Sequence, residues 1–142
     1  MSEAHFKRSV ATSFENLWKI LLDEAEHPDR YNEGILSSKI LERFHDGILR
    51  SVEVPDAEIR EKVIFDYKNK SVKSNLVGHP SLVGVIQKTV RPADEAGASW
   101  ELESCIEWDS IDDRVDGMIR RNLETFITQS LEKVKKQAES LG

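Results

Sequence analysis

Hydrophobic positions change period three times along the chain, and the changes divide it into elements. Near the start Phe6, Arg8 and Val10 alternate with His5, Lys7 and Ser9, the period of a strand over 5–10. Thr12-Ser13-Phe14-Glu15 then has the form of a capping box, with Thr12 as N-cap and Glu15 reaching back. Beyond it Phe14, Leu17, Trp18, Leu21, Leu22 and Ala25 recur at steps of three and four, the apolar face of a helix that Pro28 stops or kinks. A short helical or turn segment through Tyr31 and Gly34 follows. Between Ser37 and Trp108 the period falls to two. Turn residues arrive at hairpin intervals: His45-Asp46-Gly47, Pro55-Asp56, Lys68-Asn69, Gly78-His79-Pro80-Ser81 and the loop from Pro92 to Gly97. Six strands joined this way predict an antiparallel meander. In the last of them Trp100, Leu102, Ile106 and Trp108 alternate with Glu101, Glu103 and Glu107, so one face is apolar and the other solvated. From Ile111 the helical step returns through Val115, Met118, Ile119, Leu123, Phe126, Ile127, Leu131, Val134, Ala138 and Leu141. Ser110 is the expected N-cap; Asp112, Asp113 and Asp116 suit the positive helix end, and Lys133, Lys135 and Lys136 the negative one. The stripe predicts a helix of about thirty residues, ~45 Å long at ~1.5 Å per residue.

A half-apolar sheet and a long striped helix must cover each other. The expected architecture is therefore α+β and of the helix-grip kind. A seven-stranded curved antiparallel sheet wraps around the C-terminal helix, with one or two short helices after the first strand. No repeat, low-complexity tract or linker divides 1–142, so one domain is expected. A sheet curved round a helix leaves space between the two, and function is expected there.

Composition narrows the classes. Twenty Lys and Arg against 26 Asp and Glu give a net charge of −6, with the basic residues dispersed, so a nucleic-acid partner is not expected. Cys105 is the only cysteine, so no internal disulfide can form, and the polar start Met1-Ser2-Glu3-Ala4-His5 lacks the apolar run of a signal peptide. The apolar runs are far shorter than the ~20 residues of a membrane span, so a soluble, cytoplasmic protein without integral membrane association is expected. His5, His27, His45 and His79 are scattered and no Gly-rich phosphate loop is present, so no metal site and no cofactor is expected. Cys105 shares a strand face with Glu103 and Glu107, and a spectator thiol is expected there.

The central hairpins carry the candidate chemistry. If Pro55-Asp56 is a two-residue turn, Val54 pairs with Ala57, Val52 with Ile59, Arg50 with Glu61 and Ile48 with Val63. The face bearing Ile48, Val52, Val54, Ile59, Val63 and Phe65 is the apolar one, so Arg50 and Glu61 are expected to point inward as a cross-strand ion pair. A three-residue loop His45-Asp46-Gly47, with Gly47 left-handed, would set Phe44 beside Ile48 and Glu42 beside Arg50. Inward charges need partners, water or a polar ligand group. Three roles are thus open to Glu42, Arg50 and Glu61: a structural pair, an anchor for a polar group on an apolar ligand, or a general base. The expected ligand wall comprises these three together with Ile48, Val52, Val63, Phe65, Trp100, Leu102, Trp108, Ile119, Leu123 and Phe126. Trp18 is expected in the core, and Gly117 interrupts the long helix.

The order strand, helix, short helix, six-stranded meander, long helix resembles the START-like or SRPBCC superfamily, which includes the birch-pollen allergen. Within it, Ile40-Leu41-Glu42-Arg43, Asp46-Gly47-Ile48-Leu49-Arg50 and Ile59-Arg60-Glu61-Lys62-Val63 are similar to the AtaL-like family of poorly characterised proteins. Leu17-Trp18 followed by Glu26-His27-Pro28 matches the same pattern. The resemblance implies a helix-grip fold with a cavity for hydrophobic ligands; it implies no established reaction and no catalytic residues. The partner expected is a small apolar or aromatic molecule. A polyketide-cyclase or lyase-type enzyme using the same cavity, and a protein-binding adaptor, are the alternatives. Ligand identity and oligomeric state are not legible.

Overall fold

The computed structural model describes residues 2–55, 57–78, 82–110 and 113–141, by backbone alone at 82, 83, 110 and 113–120. Strand β1 (Ser2–Val10) leads into helix α1 (Phe14–Glu26) and a 3-10 turn at Pro28–Arg30. The meander then runs β2 (Ser37–Arg43), β3 (Gly47–Val54), β4 (Ala57–Asp66), β5 (Ser71–Val77), β6 (Leu82–Pro92) and β7 (Trp100–Ser110). Helix α2 (Asp113–Leu141) ends the fold. All seven strands join one antiparallel sheet, in the order β1-β7-β6-β5-β4-β3-β2. This is the α+β helix-grip arrangement.

Strand β1 begins earlier than its alternation suggests, because Ser2 to Val10 pairs with Trp108 to Trp100 over its whole length. Helix α1 is capped one residue later than expected. Ser13, not Thr12, has the extended backbone of an N-cap, and its Oγ accepts from the Asn16 amide at 3.2 Å. Thr12 Oγ1 accepts from the Asn16 side chain at 3.1 Å, and Glu15 accepts from the Tyr67 hydroxyl instead of reaching back. The N-cap expected at Ser110, with Ile111 and Asp112, lies outside the described residues, as do Asp56 and the turn from His79 to Ser81. Lys133, Lys135 and Lys136 fall short of the last turn of α2, which holds no basic residue.

The C-terminal half of α2 fills the grip. Leu131, Val134 and Ala138 are completely buried with Val10, Leu17, Leu21 and Leu102. Helix α1 packs beside α2, and Trp18 is buried in the same core. Buried Asn32 ties the segment after α1 to α2: its Nδ2 donates to the Phe126 carbonyl at 2.8 Å and to Ser130 Oγ at 3.0 Å, while its Oδ1 accepts from Gly34 N. Among the described residues no helix is long and apolar enough to cross a membrane.

The β2–β3 connection departs from the three-residue loop. Arg43 lies opposite Ile48, Glu42 opposite Leu49 and Ile40 opposite Arg50, with Leu41 as the extra residue of a bulge. Gly47 also pairs with Ile64 of β4, without a positive φ. A Cβ there would lie 1.9 Å from the Val63 carbonyl oxygen, and Phe65 N donates to Asp46 O at 2.8 Å. Phe44 N donates to Gly47 O at 2.8 Å, so His45 and Asp46 form a two-residue connection while residues 46–47 also lie along β4. Gly47→Ala is expected to lower stability by about 1–3 kcal/mol through overpacking. Gly84→Ala, whose Cβ would meet its nearest neighbours at 3.6 and 3.8 Å, should cost clearly less. Denaturant unfolding of both variants checks this, and equal losses would contradict the steric explanation.

Candidate functional site

A cavity of about 360 Å³ lies between the middle of the sheet, the C-terminal end of α1 and the middle of α2. Its walls are mainly apolar: Val52, Ile59, Val63 and Val72 from the sheet, Ile106 and Trp108 from β7, and Leu123 and Phe126 from α2. Pro28 and Ile35 contribute the connection after α1. Glu24, Arg50, Glu61, Ser74, Lys88 and Ser130 supply charged and hydroxyl groups to the same lining, and the exposed residues Glu107 and Asn122 border it.

The β3–β4 register brings Val54 opposite Ala57, Val52 opposite Ile59, Arg50 opposite Glu61 and Ile48 opposite Val63. Arg50 donates to Glu61 Oε1 from Nε at 3.2 Å and from Nη2 at 3.0 Å, and both side chains are 13% exposed. Its third contact, from Nη1 to the Ala25 carbonyl at 2.8 Å, reaches the last turn of α1. The carbonyls of that turn have no partner within the helix and carry its negative end, so a guanidinium satisfies both requirements. Glu61 Oε2 accepts from Ser74 Oγ at 2.6 Å. Burial pushes the Glu61 carboxyl up, but the charge of Arg50, the hydrogen bonds from Ser74 and Arg50 and the charge of Lys88 outweigh it, and the net shift is downward.

A second ion pair stands beside the first. Lys88 of β6 donates to Glu24 Oε1 on α1. The Glu24 side chain is 6% exposed, and its Oε2 has no hydrogen-bond partner among the described residues. Sequence reasoning passed over both residues, although each breaks an apolar row. Glu24 follows Leu17 and Leu21 on the buried face of α1, and Lys88 stands between Ile86 and Val90 on β6.

The structure gathers Arg50, Val52, Glu61, Val63, Trp108, Leu123 and Phe126 on the cavity wall. It places other expected residues elsewhere. Ile48 and Leu102 lie in the closed core, and Phe65 packs partly buried against that core. Trp100 shares a strand face with Trp108 but sits at the opposite end of β7, where its ring meets Phe14 at 5.3 Å beside Trp18 and Tyr67. Glu42 is exposed: counted from the Phe44–Gly47 closure it lies opposite Leu49, not Arg50, and so on the outer face. The side chain of Ile119 lies outside the described residues.

On the outer face the β1–β7 ladder sets His5 opposite Cys105, and donor atoms of Glu3, His5 and Cys105 lie within 4.8 Å of one another. These are three groups able to ligate a metal, brought together from positions about a hundred residues apart. The Cys105 thiol is pushed up by burial and by the carboxylates of Glu3, Glu107 and Glu103, which keeps it protonated at neutral pH and unsuited to act as a nucleophile.

Solved structures share the fold at low sequence identity. A START superfamily protein from Mycobacterium smegmatis superposes with a TM-score of 0.70 at 15% identity, over 99% of both chains. The Zhui aromatase/cyclase from a Streptomyces species gives 0.74 at 12%, over 98% of this chain and 92% of that one. The di-domain aromatase/cyclase BexL gives 0.77 at 14%; 98% of this chain covers 47% of BexL, so the chain spans about half of that protein. The chain thus has the helix-grip fold of START superfamily proteins. No protein-family model and no curated protein matches it, and the comparisons do not confirm the AtaL-like family.

Two tests address the Arg50–Glu61 pair. Arg50→Met, which strips a buried carboxylate of its partner, is expected to cost about 3–5 kcal/mol, and Arg50→Met/Glu61→Leu clearly less than the sum of the two single losses. Additive losses in denaturant unfolding would show that the residues do not interact. The lowered carboxyl of Glu61 also sets a sign for pH. Its stabilisation is complete above the ordinary value of 4.5 and is lost as pH falls through the lower folded value. The stability gap between wild type and Glu61→Gln is therefore expected to narrow on acidification below 4.5, and a gap constant down to pH 3 would contradict the assignment.

Proposed function

We propose that this protein binds a small, mainly apolar or aromatic molecule in the cavity between the sheet and α2. The observation that carries the reading is the composition of the wall: an apolar enclosure of about 360 Å³ with two ion pairs among its lining residues. That volume falls in the range of ~300–1,000 Å³ usual for small-molecule pockets, where a few polar groups orient an otherwise apolar ligand. Arg50 and Glu61 act there mainly as a frame, since they satisfy each other and the end of α1. The fold likeness to two aromatase/cyclases supports a second reading, in which the same cavity holds a reactive substrate for cyclisation. Turnover of a bound compound would favour the enzyme, and reversible binding without turnover the carrier. An adaptor role would draw on Leu36, Leu41 and Phe44, left exposed on or beside edge strand β2.

Native mass spectrometry of the purified protein is expected to detect a retained small molecule. Independently, the neutral fluorophore N-phenyl-1-naphthylamine should bind saturably at one site per chain. Leu123→Trp, which adds a ring to the α2 wall, is expected to weaken that binding by at least about tenfold, since a filled cavity forfeits the apolar area the probe would bury. Unchanged binding in the folded variant would place the probe elsewhere and count against the cavity.

A further inference from the structure

We propose that Glu24 is the cavity's hydrogen-bond acceptor, and that the ligand is a neutral, mainly apolar molecule presenting one hydroxyl to it, a phenol being the simplest case. This rests on the ligand-binding reading above and specifies what the ligand must carry. Arg50 is engaged by Glu61 and the Ala25 carbonyl. Both oxygens of Glu61 accept, one from Arg50 and the other from Ser74. Lys88 donates to one oxygen of Glu24. Ser130 accepts from Asn32, and Glu107 and Asn122 are exposed, so the one buried side-chain polar atom of the lining left without a donor among the described residues is Glu24 Oε2. A buried carboxylate oxygen left without a donor is costly, and a group entering the cavity can remove that cost.

The chemistry of the acceptor narrows the ligand further. An ionised carboxylate only accepts, so a ketone, an ether or a second carboxylate cannot serve at this point, whereas a hydroxyl can. The two inward ion pairs cancel, Arg50 and Lys88 against Glu24 and Glu61, and the remaining charged residue of the lining, Glu107, is exposed to solvent. A cationic amine would therefore bring an uncompensated charge into an apolar enclosure, and an anion would also face Glu24. A neutral hydroxyl makes a short, charge-assisted bond without disturbing that balance. Lys88, by occupying Oε1, leaves Oε2 for the ligand.

Isothermal titration calorimetry with three probes of similar size tests this: 2-naphthol, 2-methoxynaphthalene and the ammonium form of 2-naphthylmethylamine. Wild type is expected to bind 2-naphthol at least about tenfold more tightly than 2-methoxynaphthalene, and the ammonium probe most weakly. In E24Q the preference for 2-naphthol should fall below about threefold, while the affinity for 2-methoxynaphthalene stays within about threefold of wild type. E24L/K88M removes both partners together and so leaves no lone buried charge. It should fold, bind the methoxy probe and show no preference, which keeps the test valid if E24Q is unstable. Equal wild-type affinities for naphthol and methoxy probes, or a naphthol preference surviving in either variant, would overturn the role of Glu24 while leaving the cavity reading intact. Tightest binding of the ammonium probe would overturn the neutral-donor assignment. Binding of none of the three would overturn the cavity reading and this inference with it.

Discussion

The guanidinium of Arg50 holds the end of α1 above the sheet, and the shape of the cavity follows from that contact. One planar group meets a carboxylate on the next strand and a carbonyl in the last turn of the helix. Each partner needs it for a different reason. Glu61 is a buried anion, and the Ala25 carbonyl belongs to a helix end whose acceptors have no donors of their own. Replacing the planar donor by a lysine would leave one ammonium to serve two directions, and an arginine fork is suited to both. Helix α1 is thereby fixed at a height where Glu24 can meet Lys88 from β6.

The interior divides into a closed part and an open part, and α2 belongs to both. Its C-terminal half packs Leu131, Val134 and Ala138 against β1, β7 and α1, where side chains fill the available volume. Nearer its N-terminal half, Leu123 and Phe126 face the cavity across from Val52, Val63 and Val72. The same division separates the tryptophans. Trp100 joins Phe14 at the closed end, and Trp108 lies on the cavity wall. Stability and binding thus draw on different stretches of the same two elements, so a change to the cavity wall near Leu123 leaves the densest packing untouched.

Pairing explains why apolar walls and four inward charges coexist. Each charge is expensive to bury singly, but two pairs of opposite sign share one corner, and hydrogen bonds from Ser74 and to Ala25 complete the first pair. The second pair is incomplete at one oxygen. Fold likeness to START superfamily and aromatase/cyclase structures at 12–15% identity establishes the scaffold, whereas the chemistry of this corner belongs to the residues of this chain.

By itself the sequence determined the elements, their antiparallel order and the pairing of Arg50 with Glu61. These follow from periods of two and of three to four, and from a two-residue turn that fixes register between strands adjacent in the chain. It also placed Val52, Val63, Trp108, Leu123 and Phe126 where a cavity wall could use them. Tertiary structure decided the rest. Whether Glu42 faces inward depended on where the β2–β3 hairpin closes, and it closes at Phe44 and Gly47 while residues 46–47 also bond along β4. Whether Trp100 or Trp108 lined the cavity depended on where α1 crosses the sheet, since alternation gives a residue's face but not its depth along the strand. The Glu24–Lys88 pair joins residues 64 positions apart, and the meeting of His5 with Cys105 spans 100. Periodicity and turn chemistry are short-range properties of a chain, whereas the pairing of buried charges is settled only when distant segments compete for the same low-dielectric space.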